Sequence, residues 1–155
     1  MNLFIDRADD SIYAVKMLDI VIDTNVVVAA LRSGGGASRQ VLRGVLAGHW
    51  RPVFGNALWA EYEDLLQRDV WGDATTPEER LTMLAALARQ GRWVQVHFGW
   101  RPNLPDEADN HLIELAVAAG AACIVTHNLR DLNRGELRWA QLKILTPAQW
   151  LELCT

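Results

Sequence analysis

Three consecutive polar residues, Asp23, Thr24 and Asn25, stand between two apolar runs of the sequence. The first run, residues 18–22, is typical of a strand, so Asp23 lies where a strand ends and a helix begins. An aspartate at such a junction can simply cap the helix that follows. Capping needs only one polar side chain, however, and three in succession favour a functional site.

A second group of acids lies on the helix predicted to begin after residue 56, with Asn56 as its cap. Turning about 100° per residue, Glu61 and Glu63 lie on opposite rims of the apolar stripe, while Asp64 points away from it. This periodicity excludes Asp64 but does not choose between the two glutamates. Either one alone is also typical of a solvated helix edge.

A third group, residues 106–110, opens another predicted helix. Asp106 is well placed to cap it, and an acid at Asp109 would suit the positive end of the helix dipole. Asp109 nevertheless shares its helical face with Leu112 and Ile113, which must turn towards the sheet. An inward carboxylate needs a cation, hydrogen-bond donors or a proton, so we expect Asp109 to be functional.

A fourth polar group, residues 126–131, follows the apolar run 121–125. The alternative interpretation of this group is a solvated loop without a function. In a parallel sheet the carboxyl ends of the strands meet at one edge, so all four groups are expected there. Several carboxylates at one edge repel one another unless a divalent ion neutralises them. Oxygen ligands point to Mg²⁺ or Mn²⁺, since zinc prefers His or Cys and the histidines show no ligand spacing.

The elements that must position these groups alternate along the chain as short β-branched runs and longer segments of helical period. This pattern predicts an α/β domain with a parallel sheet of four or five strands. Thr76 and Pro77 predict the start of a helix that runs to about residue 90, and Gly120 predicts the end of another. The predicted strands are residues 18–22, 51–54, 93–98, 121–126 and 143–145, and the other helices are 26–32, 37–46, 57–70, 106–119 and 147–155.

Composition limits the classes of function. The 155 residues are 50% hydrophobic and 22% charged, which fits one domain, and a net charge of -4 gives no overall basic field for nucleic acid. Two cysteines make no disulfide framework and no apolar run approaches the roughly 20 residues of a membrane span, so we expect a cytoplasmic protein. Residues 1–16 are expected to be a loosely ordered arm or an upstream start, and residues 17–155 the domain.

From Met17 onwards the sequence resembles the PIN-domain family, in particular its branch of toxin components of toxin and antitoxin pairs. The likeness is carried by IVIDTNVVVAALRSGGGASRQVLRGVLAG, ALWAEYEDLL, LPDEADNHLIELAVAAGAACIVTHNLRDL and KILTPAQWLELC. The resemblance implies a three-layer α/β/α sandwich with a parallel sheet. It also implies acids that bind Mg²⁺ or Mn²⁺ and hydrolyse RNA phosphodiester bonds.

Carried over by position, the resemblance implies Asp23, Glu61 and Asp109 as the catalytic, metal-binding acids, and so chooses Glu61 over Glu63. Asn128 stands where the family often has a fourth acid, and Asp131 is a further metal-ligand candidate. The implied polar supports, which would orient the acids or a water, are Thr24, Asn25 and Thr126.

The sequence thus predicts a metal-dependent endoribonuclease, the toxin of a toxin and antitoxin pair. Its expected partners are RNA, a small antitoxin protein and a second copy of itself, with no membrane. The alternative is a non-catalytic module of the same fold that binds RNA or protein through a depleted metal site, which Asn128 favours. Candidate contacts for the RNA backbone are Arg32, Arg39, Arg130 and Arg134.

Overall fold

Five parallel strands form the central sheet of the computed structural model, which describes residues 3–6, 14–97, 109–133 and 141–155. Across the sheet the order is β5, β4, β3, β6 and β7. In chain order these strands are β3 (Asp19–Ile22), β4 (Arg51–Phe54), β5 (Arg92–Trp93), β6 (Cys123–Val125) and β7 (Lys143–Leu145). The parallel α/β architecture predicted from the sequence is confirmed.

Helices connect the strands and cover the sheet. They are α1 (Thr24–Arg32), α2 (Ala37–Leu46), α3 (Asn56–Gln67), α4 (Pro77–Gln90), α5 (Asn110–Ala119), α6 (Leu129–Leu132) and α7 (Pro147–Cys154). Successive residues of β3 and β6 are buried although they point to opposite faces of the sheet. Both faces are therefore covered, as in other parallel sheets.

Local sequence fixes several helix ends. Thr76 accepts a hydrogen bond from the backbone of Glu79, whose side chain accepts one from the backbone of Thr76, with Pro77 at the first helical position. This reciprocal pair is a capping box, and α7 begins with the same device. Gly120 ends α5 with a positive φ of 62°, a conformation that glycine adopts without steric cost.

Several predicted boundaries differ from the structure. Asn56 is the first residue of α3 rather than its cap, a position that Gly55 takes. The predicted strand 93–98 is shorter, because β5 pairs only with Val53 and Phe54 and its partner strand ends there. The helix predicted from Asp106 begins at Asn110, and Asp106 itself lies outside the described residues.

A charged group ties the elements together at the amino end of the sheet. The Asp19 carboxylate accepts hydrogen bonds from Arg51 at 2.6 and 3.1 Å and from Arg92 at 3.1 and 2.7 Å. Arg92 also donates to the carbonyl of Ala119 at 2.7 Å. Burial alone would raise the pKa of Asp19, but the two guanidinium groups outweigh it and lower that pKa. The group joins β3, β4, β5 and the end of α5.

An antiparallel pair of short strands precedes the sheet. These are β1 (Leu3–Asp6) and β2 (Ala14–Met17), with Leu3 opposite Met17 and Asp6 opposite Ala14. β2 ends two residues before β3 begins, and the boundary between an arm and a domain at residue 17 stays a prediction. No helix in the described ranges is both long and apolar enough to cross a membrane.

Candidate active site

Asp23 lies at the carboxyl end of the central strand β3. Its backbone N–H donates to the carbonyl of Val125 at 3.0 Å, which continues the pairing of β3 with β6. Asp23 occupies the cap position of α1, but its side chain makes no capping hydrogen bond. The residue is only 6% exposed. Capping therefore does not explain this aspartate.

Neutral side chains surround the Asp23 carboxylate. Thr126 and Asn25 donate to its Oδ2 at 2.8 and 3.0 Å, and the Thr24 hydroxyl lies 3.4 Å from its Oδ1. Burial raises the pKa of Asp23, the hydrogen bond from Thr126 opposes the shift, and the nearby charge of Glu61 adds to it, so the pKa is raised overall. A buried carboxylate with a raised pKa and neutral donors has the character of a functional group.

Glu61, on α3, shares the Thr24 hydroxyl with Asp23. Thr24 Oγ1 lies 3.0 Å from Glu61 Oε1, and His111 Nε2 lies 2.8 Å from Glu61 Oε2. The hydrogen bond from His111 outweighs partial burial and lowers the pKa of Glu61. The side chain is 43% exposed, so the pair of Asp23 and Glu61, here called the carboxylate pair, has one buried and one accessible member.

The other acids of α3 lie elsewhere. Glu63 is exposed and accepts a hydrogen bond from the indole of Trp59 at 2.6 Å. Asp64 is exposed and pairs with Arg68 one turn along the helix. Of the two glutamates on the rims of the apolar stripe, the structure therefore brings Glu61, and not Glu63, close to Asp23.

Asp109 takes the cap position of α5, two residues before His111, and its side chain does not cap the helix. It is partly buried, and α5 approaches the carboxylate pair through His111. Within the described ranges, no three side chains drawn from His, Cys, Asp and Glu are close enough to hold a metal ion together. A third acid beside Asp23 and Glu61 stays a prediction.

The loop after β6 supports the buried aspartate. Thr126 is fully buried and accepts a hydrogen bond from the backbone of Asn128 at 2.9 Å. The backbone of His127 donates to the side chain of Asn25 at 3.2 Å, which links this loop to the start of α1. Asn128 precedes α6 without capping it, and Asp131 lies within that helix, partly buried. Thr126 and Asn25 thus contact one another, and both donate hydrogen bonds to the Asp23 carboxylate.

Three contacts at this edge of the sheet were not predicted. The His111 contact arises where α5 meets α3, so no local spacing announces it. Ser38, at the start of α2, lies 2.7 Å from His127 Nε2 and fixes that ring beside the loop. Tyr62 packs beneath the site and donates its hydroxyl to the carbonyl of Ile22 at the end of β3. The signal for Tyr62 in the sequence was its position on the apolar stripe of α3.

Of the arginines predicted to contact RNA, the three that the structure describes lie on three different helices. Arg32 donates to the carbonyl of Val70 at 2.9 Å, and Arg39 donates to a carbonyl of α1 at 3.3 Å. Arg130 is exposed next to the loop that follows β6, and Arg134 lies outside the described residues. Arg130 thus lies in α6, which follows the loop at the carboxyl end of β6.

The donor set fits a hard divalent cation. Asp23 presents a buried carboxylate whose hydrogen bonds come from neutral groups, so its charge is not balanced by those donors. Glu61 adds a second carboxylate from the opposite side of Thr24, with one side open to solvent. Oxygen donors of this kind suit Mg²⁺ or Mn²⁺. A cation would also relieve the mutual repulsion of the two carboxylates.

Comparison with known proteins assigns the family. The family model described as PIN domain matches residues 19–130, most of the chain. A crystal structure of VapBC2 from Rickettsia felis bound to a DNA fragment from its promoter has a similar fold, with a TM-score of 0.56 and 14% identity. That match covers 82% of this chain and 97% of the other chain. The comparison with curated proteins finds no match. The chain belongs to the PIN domain family.

Proposed function

We propose that the chain is a metal-dependent endoribonuclease that hydrolyses RNA phosphodiester bonds. The observation that carries this proposal is the buried Asp23 carboxylate, which has a raised pKa and lies close to the accessible carboxylate of Glu61. Membership of the PIN domain family supports the same chemistry, since such acids are what the family's nucleases use.

Asp23, Glu61 and Asp109 would hold Mg²⁺ or Mn²⁺. When bound, such an ion lowers the pKa of a water and stabilises charge that develops on a phosphate. Asn128 and Asp131 are additional candidates for ligands. Since Asn128 brings an oxygen without a charge, we expect at most one ion in the free protein, with a second arriving, if used, with the RNA.

The chain's own residues would set the geometry of the reaction. Thr126 and Asn25 fix both the position and the orientation of the Asp23 carboxylate, because both donate to the same oxygen and are themselves linked across two strand ends. Thr24 keeps the two carboxylates at a defined separation. Such preorganisation avoids rearrangement of the protein dipoles during the reaction.

The biological partners follow from the same proposal. The similar fold in the VapBC2 structure supports the toxin of a toxin and antitoxin pair, with a small antitoxin protein as its partner. A homodimer is the assembly that we expect. The place of action would be the cytoplasm. Arg130, with Arg39, Arg32 and Arg134 as weaker candidates, would contact the RNA backbone.

A cleavage assay tests the proposal directly. Purified protein would be incubated with end-labelled RNA in Mg²⁺, in Mn²⁺ and in chelator. We expect internal cleavage with either ion, none with chelator, and none with Asp23→Asn at any ion concentration. Cleavage that survives in Asp23→Asn, or that proceeds in chelator, would contradict it. RNA that binds but is never cut would favour the non-catalytic module.

A further inference from the structure

A cavity of about 340 Å³ adjoins the carboxylate pair. Its walls are the first turn of α3, residues 94–97 after β5, and the side of α5 that carries His111 and Glu114. Protein cavities that bind small molecules typically measure about 300–1,000 Å³. This cavity lies at the lower end of that range, which suits a ligand the size of one nucleotide.

His111 joins the cavity to the carboxylate pair. Its Nε2 lies 2.8 Å from Glu61 Oε2, and the same ring lines the cavity. Its other nitrogen, Nδ1, is buried and has no hydrogen-bond partner in the part of the chain that the structure describes. Buried polar atoms in proteins are rarely left without a partner. Because His111 both contacts Glu61 and lines the cavity, a molecule bound in the cavity would be separated from Glu61 by this one side chain.

The cavity walls combine apolar and anion-binding character. Val94 is partly buried and Val96 is exposed, and together they offer an apolar surface that suits the flat face of a nucleobase. The first turn of α3 contains no acidic residue and no capping side chain, because Gly55 takes the cap position. Its first backbone N–H groups lack acceptors within the helix, and the helix dipole adds positive potential there.

The remaining lining residues do not oppose this charge preference. His97 and Gln95 are exposed polar side chains at the mouth of the cavity. Among the described residues of the lining, Glu114 is the acid, but it is only 7% exposed and interacts with other groups of the protein. Among the described residues, the accessible side chains of the wall thus include no acid, which suits an anionic ligand.

We propose that this cavity binds the RNA nucleotide next to the bond that is cleaved, with the base against Val94 and Val96 and its phosphate near the start of α3. The inference rests on the proposed function, because the carboxylate pair defines where the cleaved bond lies. It deepens that function by giving the enzyme a pocket that can distinguish one base from another, beyond contacts to the RNA backbone.

Binding of mononucleotides to the unmodified, metal-free protein tests the cavity without any cleavage. AMP, CMP, GMP and UMP would be titrated separately, to about 10 mM because a single nucleotide is expected to bind weakly. We expect NMR shift changes at the backbone amides of residues 55–58 and at the ring of His111, with unequal affinities among the four nucleotides. Absence of shifts there for all four would overturn the proposal.

A matched pair of variants localises the site. Ala57 is exposed in the first turn of α3 and lines the cavity, whereas Ala60 is exposed on the same helix and does not line it. We expect Ala57→Phe to fill the cavity and weaken nucleotide binding at least about tenfold, and Ala60→Phe to leave it unchanged. Melting curves confirm that both variants fold, and equal binding by the two would contradict the assignment.

The two proposals fail in distinguishable ways. Asp23→Asn should lose cleavage but still bind nucleotide, since Asp23 does not line the cavity. If the unmodified protein binds nucleotide and never cleaves RNA, the proposed activity fails. If it cleaves RNA but binds no nucleotide at residues 55–58, the cavity proposal alone fails. In RNA cleavage, Ala57→Phe should raise KM more than it lowers kcat.

Discussion

Replacing Asp23 with Asn should make the metal-free protein more stable while abolishing its proposed activity. The variant keeps an oxygen that can accept the hydrogen bonds of Thr126 and Asn25, so the shape of the site is preserved. It removes the charge that burial and Glu61 both disfavour. Carboxylates gathered to bind a cation oppose folding when the cation is absent.

The size of the gain follows from the geometry of Thr24. Its hydroxyl oxygen lies 3.4 Å from Asp23 Oδ1 and 3.0 Å from Glu61 Oε1, so these oxygens are at most about 6.4 Å apart, the two distances laid end to end. Two unit charges at that separation repel by about 2.6 kcal/mol at an effective dielectric constant of about 20. Because Glu61 is 43% exposed, solvent screening reduces this to about 1–2 kcal/mol.

Thermal unfolding in chelator measures the effect. For a chain of this length each kcal/mol shifts Tm by about 2–4 °C, so Asp23→Asn should melt about 2–8 °C higher than the unmodified protein. Added Mn²⁺ should stabilise the unmodified protein and narrow the difference, since the ion binds the folded state. A lower Tm for Asp23→Asn in chelator, with its fold intact, would refute the reasoning.

The pH dependence gives an independent check. The pKa of Asp23 is raised in the folded state, so the folded protein holds that proton more readily than the unfolded chain. The Asp23 charge therefore lowers the free energy of unfolding fully at a pH above the pKa of Asp23 in the folded state. This effect vanishes at a pH below the pKa of Asp23 in the unfolded state. The stability advantage of Asp23→Asn should shrink as pH falls through this window, and an advantage that grows would contradict the assignment.

Three further predictions concern other parts of the molecule. Asp19→Asn should lower the free energy of unfolding by about 2 kcal/mol in urea, because charge-assisted hydrogen bonds are lost at partly exposed arginines, and a change below about 0.5 kcal/mol would contradict this. Gly44→Ala should destabilise by about 1–3 kcal/mol, because a Cβ there would lie 2.0 Å from the Trp50 ring, and a higher urea midpoint would contradict this. Asn128→Asp should tighten Mn²⁺ binding measured by calorimetry without RNA, whereas Asp131→Asn should change it little, and the reverse result would make Asp131 the ligand.

Most of the fold could be predicted from local sequence. Thr76, Pro77 and Glu79 specify a helix start by themselves, and Gly120 specifies a helix end. The strand predicted over 93–98 is shorter because strand length depends on its neighbour, and β4 ends at Phe54. The four-residue helix α6 lies in a segment that the sequence predicts to be a loop. A single helical turn is too short to show the hydrophobic period of a helix.

The candidate site was only partly predictable. Asp23 could be found because polar residues interrupt two apolar runs at a strand end. Periodicity could not separate Glu61 from Glu63, because both lie on rims of the same stripe and only the tertiary position of Thr24 distinguishes them. His111 was missed for a similar reason, since its partner lies 50 residues away on another helix.

The central claim, that Asp23 and Glu61 are the working carboxylates, is tested most directly by comparing Glu61→Gln with Glu63→Gln in one RNA cleavage assay. Both changes remove one charge from the same turn of α3, and each Gln can still accept a hydrogen bond. We predict that Glu61→Gln lowers the Mn²⁺-dependent rate at least about a hundredfold, while Glu63→Gln cleaves at the rate of the unmodified protein. Equal rates in the two variants, or a larger loss in Glu63→Gln, would contradict the account.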